Sequence, residues 1–333
     1  MAVLGINKHI LQKVLAVLFV CTSIFLITSK GSSSGIMRIL SLNSLQQSLH
    51  KETISDPGLK ELQGKELPIV HPHSCIRTQA ISPQQISYIM CVKPNDYISN
   101  LILNDGIFER QEVELMISLL ADYSNSTFLD LGANLGTFSV AAAAFKHRVV
   151  SVDPFIMNHA YSRLSTLLQG SEDYVRYIVN TVSNGTEVLY PWYRTAGNEG
   201  ATSFITYETA VKKPSTEVGS PVYPVQLQDI LDTIPTDTVI IKIDIEGHEC
   251  RALVPYLTKK NKTKYIPYIM IEWVFISHNT DGYCPEVGIL VQAFVDSGYY
   301  AVNVYDLSKR ANNSEEKSWN NMLWVHQHAA KQF

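Results

Sequence analysis

The sequence has 333 residues, with a formal net charge of −4, 46% hydrophobic residues and 17% charged residues. This length and apolar content suffice for one large domain or two small ones. The lack of a basic excess argues against a nucleic-acid partner, because contacts to phosphates need Lys and Arg clustered on one face.

An apolar run near the N-terminus has the character of a membrane anchor. Residues 14–28 are uncharged and mostly apolar, and an extension back to residue 10 brings the run close to the roughly 20 residues that cross a bilayer. No A-x-A-like cleavage site follows, and Lys30 stands where cleavage would be expected. Positive charges precede the run, which places residues 1–9 in the cytosol and the rest of the chain in the lumen. We therefore expect a signal-anchor at 10–28 and a single-pass type II protein of the Golgi; the alternative is a cleaved signal peptide and secretion.

Cysteines and glycosylation sequons are spread over the predicted luminal part. The Asn-x-Ser/Thr sequons begin at Asn125, Asn184, Asn261 and Asn312, and they agree with a luminal location. The luminal cysteines are Cys75, Cys91, Cys250 and Cys284. They permit two disulfides in three connectivities, and we expect the pair Cys75–Cys91 first. No C-x-x-C pair is present in the sequence, so a zinc ribbon is not expected.

After the anchor, the chain changes from a linker to an alternation of strands and helices. The composition predicts a stem at 29–65, an N-terminal extension at 66–104 and the main domain at 105–333. Apolar periodicity predicts helices at 109–120, 137–145, 157–168, 248–257 and 286–297. It predicts strands at 127–131, 148–152, 175–182, 239–245, 268–273, 300–305 and 321–326. This alternation predicts an α/β fold with a Rossmann-like, mostly parallel sheet, helices on both faces, and an antiparallel C-terminal hairpin at one edge.

The loop after the first of these strands is a candidate cofactor site. The sequence FLDLGANLG at 128–136 follows a strand and opens a helix, whose first N–H groups favour an anionic group. Asp153 ends the next strand and can accept hydrogen bonds from both hydroxyls of a ribose. Asp130 would repel a pyrophosphate but suits the ammonium of methionine, and Asn134 replaces the middle glycine of a dinucleotide loop. The loop therefore favours S-adenosylmethionine over NAD as the cofactor.

A second motif, KIDIEGHE at 242–249, contains the candidate catalytic residues. On a strand, alternation puts Lys242, Asp244 and Glu246 on one side, at the carboxyl end where ligands bind in parallel sheets. Burying such charges only to fill a core is costly. Asp244, Glu246 and His248 are candidates for a general base that removes a hydroxyl proton. Lys242 is a candidate for holding the carboxylates ionised or for contacting the acceptor oxygen.

These motifs resemble the FkbM-type family of S-adenosylmethionine-dependent methyltransferases. The matching segments are FLDLGANLGTFSV at 128–140, VSVDP at 150–154, VNTVSN at 179–184, NEGATSF at 198–204, VQLQDIL at 225–231 and VIIKIDIEGHE at 239–249. The resemblance implies a Rossmann-like domain that transfers methyl groups to oxygen, often on sugars or polyketides. It also implies cofactor contacts from Asp130, Gly132, Asn134, Gly136 and Asp153, with Asn180 near the adenine. Asp153 stands where the family more often has Glu, and the loop at 201–203 is a candidate for the acceptor side.

The sequence thus predicts an O-methyltransferase of the secretory pathway. We expect a glycan or another hydroxyl-bearing acceptor, no nucleic-acid partner, and contact with the membrane through the N-terminal anchor. Two alternatives stay open. In a glycosyltransferase, Asp244 and Glu246 would clamp a metal and a nucleotide sugar. In a catalytically silent scaffold, the same fold would bind a partner enzyme. For the methyltransferase we assign no metal site.

Overall fold

The computed structural model describes residues 58–62, 64–193, 198–278, 284, 287–311 and 319–333. The predicted cytosolic tail and signal-anchor lie outside these residues, as does the predicted stem up to residue 57. Among the helices of the described part, none is both long enough and apolar enough to cross a membrane.

The described residues contain the following strands and helices. The strands are β1 (Glu61–Leu62), β2 (Ser74–Arg77), β3 (Ile89–Val92), β4 (Ser126–Leu131), β5 (Arg148–Val152), β6 (Val175–Ile178), β7 (Tyr190–Trp192), β8 (Ser203–Ile205), β9 (Thr238–Ile243), β10 (Tyr268–Glu272), β11 (Tyr299–Asn303), β12 (Asp306–Arg310) and β13 (Asn321–His326). The helices are α1 (Tyr97–Asp105), α2 (Arg110–Ala121), α3 (Thr137–Ala144), α4 (Ile156–Leu168), α5 (Tyr207–Ala210), α6 (Leu227–Asp232), α7 (Glu249–Leu257), α8 (Val274–His278) and α9 (Val287–Asp296).

Nine of these strands form one sheet, in the order β1-β6-β5-β4-β9-β10-β13-β11-β12. The five strands from β6 to β10 in this order run parallel to one another. The strands at the two sides of this parallel group pair antiparallel. The architecture is the predicted α/β fold, with a mostly parallel sheet whose C-terminal strands are antiparallel.

Apolar side chains of the central strands alternate between the two faces of the sheet, as the period of a strand requires. In β4, Leu129 and Leu131 belong to a core that includes residues of α6, α7 and α9. Phe128 belongs to the core on the other face, together with residues of α2 and α3. Both cores are buried, because a parallel sheet is covered by helices on its two faces. This packing fixes the carboxyl ends of the central strands, from which the site is built.

The C-terminal strands differ from the prediction in their order. β11 and β13 are antiparallel neighbours, as predicted, but β13 lies between β10 and β11, and the unpredicted β12 forms the edge. The sequence of β12, DLSKR, lacks apolar alternation, and its last three side chains are exposed. Charged side chains on an edge strand discourage pairing with other chains, which explains why this strand has no apolar pattern.

The region before the first parallel strand folds against the sheet. β1 lies within the range predicted as the stem and pairs antiparallel with β6. The hairpin of β2 and β3 packs on α4, where the Cys91 N–H donates a hydrogen bond to Ser165 Oγ at 2.8 Å. Another short hairpin, of β7 and β8, follows β6 and is separate from the main sheet.

All four described cysteines form disulfides. The predicted pair Cys75–Cys91 is confirmed and joins β2 to β3. The second pair, Cys250–Cys284, joins α7 to the segment before α9. Of the three connectivities that the sequence permits, the structure therefore contains the one in which each disulfide joins consecutive cysteines of this set.

Candidate active site

A cleft opens at the carboxyl ends of the parallel strands, where ligands bind in open α/β sheets. It encloses about 1110 Å³, counting space that is open to solvent. Its walls come from the segments that follow β4, β5, β6 and β9, from the end of β10, from the 198–202 loop and from the region at 97–109. The predicted site residues that line it are Gly132, Asn134, Asp153, Asn180, Lys242, Asp244, Glu246 and His248. Two other predicted residues, Asp130 and Gly136, lie outside this lining.

The two glycines of the loop after β4 are required by packing. Gly132 has φ +78°, and a Cβ there would lie 1.7 Å from the carbonyl oxygen of Asp244. Gly136 has φ +84°, and a Cβ there would lie 2.4 Å from Ser162 Oγ on α4. Other residues adopt this left-handed region only at a cost. The glycines allow the loop to approach the end of β9 and α3 to approach α4; their contacts with a cofactor stay a prediction.

Asp130 is buried beneath the cleft. Its Oδ2 accepts hydrogen bonds from the Ser139 N–H at 3.1 Å and from the Ser139 hydroxyl at 2.6 Å, whereas Oδ1 has no partner among the described residues. Burial raises the pKa of Asp130, and the neighbouring Lys242 ammonium opposes this increase. In this structure Asp130 therefore braces α3 against β4, and its predicted contact with an ammonium group stays a prediction.

Asn134 and Asp153 face the cleft from neighbouring strands. Asp153 Oδ2 accepts a hydrogen bond from the Asn134 N–H at 2.9 Å, and Oδ1 accepts bonds from the Phe155 N–H at 2.8 Å and Asn158 Nδ2 at 3.0 Å. Asn134 has φ +49°, and its side-chain oxygen is buried without a partner among the described residues. The two loops are thus joined at the point where they present a carboxylate and an amide to the cleft.

Asn180 lines the cleft beyond β6, and its amide is bound to the strand segment at the edge of the sheet. Its Oδ1 accepts a hydrogen bond from the Lys60 N–H at 2.7 Å, and its Nδ2 donates to the Gly58 carbonyl at 3.3 Å. The side chain therefore connects the cleft to β1, and its predicted proximity to an adenine stays a prediction.

Lys242 lies in the cleft among carboxyl groups. Its Nζ is 3.1 Å from Asp244 Oδ2 and 5.2 Å from the ring centroid of Phe138. Burial acts to lower the pKa of Lys242, but Asp244, Asp130 and Glu109 outweigh it and raise the pKa. Lys242 is therefore positively charged throughout the neutral range, as its predicted role requires.

Asp244 and Glu272 form a close carboxyl pair at the ends of β9 and β10. Burial, and then the charge of Asp244 and a hydrogen bond with it, raise the pKa of Glu272 well above its usual value. Together with Glu246, these residues present three carboxylate oxygens within 4.8 Å of one another. Oxygen ligands at such spacing can hold a divalent cation. The three carboxyl groups can therefore share either a proton or a cation.

The KIDIEGHE motif leaves the strand earlier than predicted. β9 ends at Ile243, and Glu246 and Gly247 adopt left-handed φ angles of 54° and 102°. Glu249 Oε1 holds this turn by accepting hydrogen bonds from the Ile245 N–H at 2.8 Å and the Gly247 N–H at 3.4 Å. Glu246 therefore reaches the cleft through a turn and not through strand alternation.

His248 has both ring nitrogens occupied. Nδ1 lies 3.1 Å from Ser183 Oγ, and Nε2 lies 2.5 Å from the Phe204 carbonyl oxygen. Burial lowers the pKa of His248 to about 4. Because the carbonyl can only accept, Nε2 carries the hydrogen and Nδ1 accepts from the serine. The neutral imidazole therefore links the turn after β9 to β8. Because both ring nitrogens are hydrogen-bonded, neither has a lone pair available for a substrate proton in this conformation.

The wall formed by the region at 97–109 was not predicted from the sequence. Tyr97 and Phe108 lie at the cleft, and the Tyr97 side chain is 55% exposed. Glu109 follows, with φ +53° and a pKa that burial raises to about 7. These residues precede the first parallel strand and belong to no recognisable motif. Only the position of Glu109 at the start of a predicted helix could have indicated it.

A family model and several solved structures are similar to this chain. The family model described as "Methyltransferase FkbM domain" matches residues 130–299, just over half of the chain. The matched region runs from the end of β4 to the start of β11 and contains the predicted cofactor and catalytic residues. No curated protein matches the sequence.

The similar solved structures include three chains of low sequence identity. The O-methyltransferase TomG from Streptomyces achromogenes, solved with SAM, is 13% identical, with 68% of this chain and 84% of that chain covered and a TM-score of 0.33. The SAH-bound methyltransferase PaMTH1 from Podospora anserina is 11% identical, with 67% and 81% covered and a TM-score of 0.34. Cofactor-bound Rv0187 from MTB is 14% identical, with 66% and 80% covered and a TM-score of 0.35. At these values the likeness carries no information on the acceptor.

Proposed function

Because the chain belongs to the FkbM methyltransferase family, we propose that it is an O-methyltransferase of the secretory pathway that methylates a sugar hydroxyl of a glycan. The cofactor of this methyltransferase is S-adenosylmethionine. When bound, the cofactor supplies a methyl group on a positively charged sulfur. The acceptor, the methylated atom and the compartment belong to the proposal.

The polar atoms of the cleft fit a cofactor with many hydrogen-bonding groups. Asn134 Oδ1, Thr181 Oγ1 and Thr202 Oγ1 are buried in residues that line the cleft, and each lacks a partner among the described residues. Buried polar atoms are normally paired, so these three indicate that a polar ligand supplies their partners. Asp153 adds a carboxylate able to accept bonds from ribose hydroxyls. We propose that these residues hold the cofactor.

The carboxyl groups around Lys242 are the observation that supports transfer of the methyl group to an oxygen atom. A hydroxyl acceptor must lose a proton as its oxygen bonds to carbon, and this requires a base within hydrogen-bond reach. Asp244 and Glu246 line the same cleft as Asn134 and Asp153. Lys242 forms an ion pair with Asp244 at 3.1 Å, which places a positive charge beside these carboxyl groups. The cleft thus combines a cofactor side with a side that can take up a proton.

The walls of the cleft also suit a sugar ring. Tyr97 and Phe108 contribute apolar surface to the lining, and other lining residues contribute carboxyl and amide groups. Pockets for small ligands commonly combine such apolar walls with a few polar groups that fix orientation. An uncharged sugar meets both needs without adding a like charge to the carboxyl groups.

A direct assay tests this function. The full chain is mixed with labelled S-adenosylmethionine and with glycans released from glycoproteins, and methylated products are identified by mass spectrometry. We expect saturable cofactor binding and a gain of one CH₂ unit on a hexose or related residue. Lack of cofactor binding would contradict the proposal, and labelled amines or carboxylates without labelled sugars would contradict the acceptor class.

The proposed compartment is supported by the covalent structure of the described residues. Each described cysteine is in a disulfide, and disulfides persist mainly in oxidising compartments. Two sequon asparagines, Asn125 and Asn261, are exposed. Asn184 is half-buried, and its Oδ1 accepts a hydrogen bond from the Thr186 hydroxyl of its own sequon at 2.8 Å. Asn312 lies outside the described residues.

Expression in animal cells tests the compartment. We expect an endoglycosidase-sensitive gel shift that is reduced by Asn125→Gln and Asn261→Gln, and an intact N-terminus in the membrane fraction. An N-terminal sequence that begins near residue 30 would instead show a cleaved signal peptide and a secreted protein.

A second function is favoured by one observation, the three carboxylates of Asp244, Glu246 and Glu272. Such a group could hold the metal of a glycosyltransferase that uses a nucleotide sugar. Family membership argues against it, and so does the polar lining around Asn134 and Asp153, which such an enzyme would not use. Binding of UDP-sugars with Mn²⁺, in the absence of S-adenosylmethionine binding, would favour this alternative. Cofactor binding without methyl transfer to any acceptor would favour a silent scaffold.

A further inference from the structure

Glu109 lines two cavities of the protein. It lines the main cleft, and it also lines a smaller chamber that it shares with Lys242, Asp244 and Glu272. It precedes the first residue of α2, yet its side chain does not cap that helix. Its backbone is left-handed, with φ +53° and ψ +47°, a conformation that strains a residue with a side chain. Strain of this kind is concentrated at functional sites, where surrounding packing maintains it.

The Glu109 carboxylate has no hydrogen-bond donor or ion-pair partner among the described residues. Three other acidic groups near the cleft have hydrogen-bond or ion-pair partners. Asp153 accepts three hydrogen bonds, and Asp244 is paired with Lys242. Glu249 accepts two backbone N–H bonds. Glu109 therefore differs from these three in having both carboxylate oxygens open to a substrate proton.

Charged and titratable groups face Glu109 from several elements. Those on its own helix and on the strands and loops around it are Glu112, Asp130, Lys242, Asp244, Glu272 and Tyr305. Burial raises the pKa of Glu109 to about 7; Lys242 opposes this increase, and Asp244, Glu112 and Asp130 add to it. A base works best when its pKa lies near the working pH. At neutral pH, Glu109 is therefore present in both the proton-accepting and the proton-bearing form.

We infer that Glu109 accepts the proton of the acceptor hydroxyl, an inference that rests on the proposed transfer to oxygen. The O–H bond of the acceptor breaks and its proton passes to a Glu109 carboxylate oxygen. The electron pair of the oxygen forms the new bond to the methyl carbon, while the pair of the broken carbon–sulfur bond remains on the sulfur. Glu109 ends as a neutral acid and the donor sulfur as a neutral thioether, so charge and protons balance. Lys242 and Asp244 orient the acceptor beside it.

Matched substitutions in the full-length chain separate this role from others. Glu109→Gln removes the base and keeps the shape of the side chain. Glu246→Gln alters another carboxylate of the cleft. Glu114→Gln is the control, because Glu114 lies on the same helix, outside the cleft lining, where it pairs with Arg110 at 3.2 Å.

Two readouts do not depend on turnover. The first is the dissociation constant of S-adenosylhomocysteine by calorimetry, which we expect to change less than about twofold in all three variants. The second is a ¹³C-glutamate NMR titration of the protein without ligand. We expect a carboxyl that titrates near pH 7 to be missing in Glu109→Gln; spectra of Glu249→Gln and Glu272→Gln identify the signals of the two other glutamates with a raised pKa.

The activity readout uses labelled S-adenosylmethionine and neutral glycans released from glycoproteins. We expect Glu109→Gln to lower the transfer rate by about 10²–10⁴-fold. The wild-type rate should rise as the pH increases through about 7 and then level off, and this step should be absent in Glu109→Gln. Added formate should restore part of the activity of Glu109→Ala, which a purely structural role would not allow.

The outcomes distinguish this inference from the proposed function. If the wild-type protein binds no S-adenosylhomocysteine, the proposed function fails, while the NMR titration still decides whether Glu109 is a carboxyl poised near neutral pH. If the wild type methylates glycans and Glu109→Gln retains its rate and its pH step, the inference fails and the proposed function stands. Loss of activity in Glu246→Gln alone would assign the base to Glu246.

Discussion

Gly132 joins the loop after β4 to the end of β9 more closely than any side chain would permit. A Cβ at this position would lie 1.7 Å from the Asp244 carbonyl oxygen, and the backbone is left-handed. We expect Gly132→Ala to lower the free energy of unfolding by on the order of 3 kcal/mol or more, because backbone strain and displacement of a strand end combine. It should also weaken cofactor binding, since Asp244 lines the cleft.

The control for this substitution is Gly170→Ala. Gly170 has φ +70°, but a Cβ there would meet no atom within 4 Å. Only the cost of the left-handed backbone remains, so we expect the free energy of unfolding to fall by about 1 kcal/mol and cofactor binding to stay unchanged. Equal losses in the two variants, measured by urea unfolding, would show that the close approach to Asp244 does not matter.

Glu249 predicts a pH dependence of stability. It is fully buried, and burial raises its pKa to about 7, whereas an unfolded glutamate titrates near the usual value of 4.5. The folded state therefore binds the proton more tightly between about pH 4.5 and 7, and stability falls as the pH rises through this window. Below the window the contribution of Glu249 is complete, and above it the folded protein bears the full cost of a buried charge.

Glu249→Gln should remove this dependence, because Gln keeps the oxygen that accepts the backbone N–H bonds. We expect the stability of the variant relative to wild type to increase by on the order of 3 kcal/mol between pH 4 and pH 8. Unfolding by urea at both pH values measures the difference. A difference that does not change with pH would mean that Glu249 ionises at its ordinary pKa.

The sequence indicated the residues of the KIDIEGHE motif better than it indicated their conformations. Lys242 and Asp244 both line the cleft, although Asp244 lies just beyond the end of the strand. Strand alternation did not reveal the left-handed turn at Glu246, which depends on hydrogen bonds to Glu249. The partners of His248 were also hidden, because Phe204 lies far from it in sequence. Contacts of this kind are made by tertiary packing and leave no local pattern.

At the scale of the elements, the two disulfides close loops of different length. Cys75 and Cys91 are 16 residues apart, and Cys250 and Cys284 are 34 apart. If a disulfide mainly restricts the unfolded chain, the first link stabilises by about 3 kcal/mol and the longer one by roughly 0.6 kcal/mol more. Replacement of each pair by serines, followed by unfolding without reductant, measures the two losses.

A reductant-treated wild-type protein serves as the control for these variants. Its stability should equal that of the variant that lacks both links. A smaller loss for the longer loop would mean that native packing around α7, and not loop length, sets the contribution of that disulfide.

Elements with a strong apolar period were predicted well, and elements without one were missed. β4, β5, β10 and β13 match their predicted positions to within a residue, because buried apolar side chains predominate in them. β12 was missed because an edge strand needs no apolar face. β1 was missed because two residues carry no period. Its pairing with β6 is set by a partner more than a hundred residues away.

At the scale of the whole molecule, ligand binding should raise stability. A ligand that binds only the folded state adds about 2.7 kcal/mol at 100 times its Kd, which corresponds to a Tm increase of roughly 5 °C or more for a chain of this size. We expect S-adenosylhomocysteine to produce such an increase. In Asp153→Asn the increase should shrink markedly, because the carboxylate proposed to accept bonds from the ribose is lost.

The control for this measurement is Asp173→Asn, which alters an exposed aspartate away from the cleft. Its Tm increase with S-adenosylhomocysteine should equal that of the wild type. An undiminished increase in Asp153→Asn would remove Asp153 from the cofactor site.

The bond between Asn180 and the segment before β1 has a practical consequence for producing the protein. Gly58 and Lys60 hold both polar atoms of the Asn180 amide, and Asn180 belongs to the wall of the cleft. A shortened form that begins at residue 66, where the sequence places the start of the folded region, would leave this amide without those partners and remove an edge strand. A recombinant catalytic fragment should therefore begin at or before residue 57.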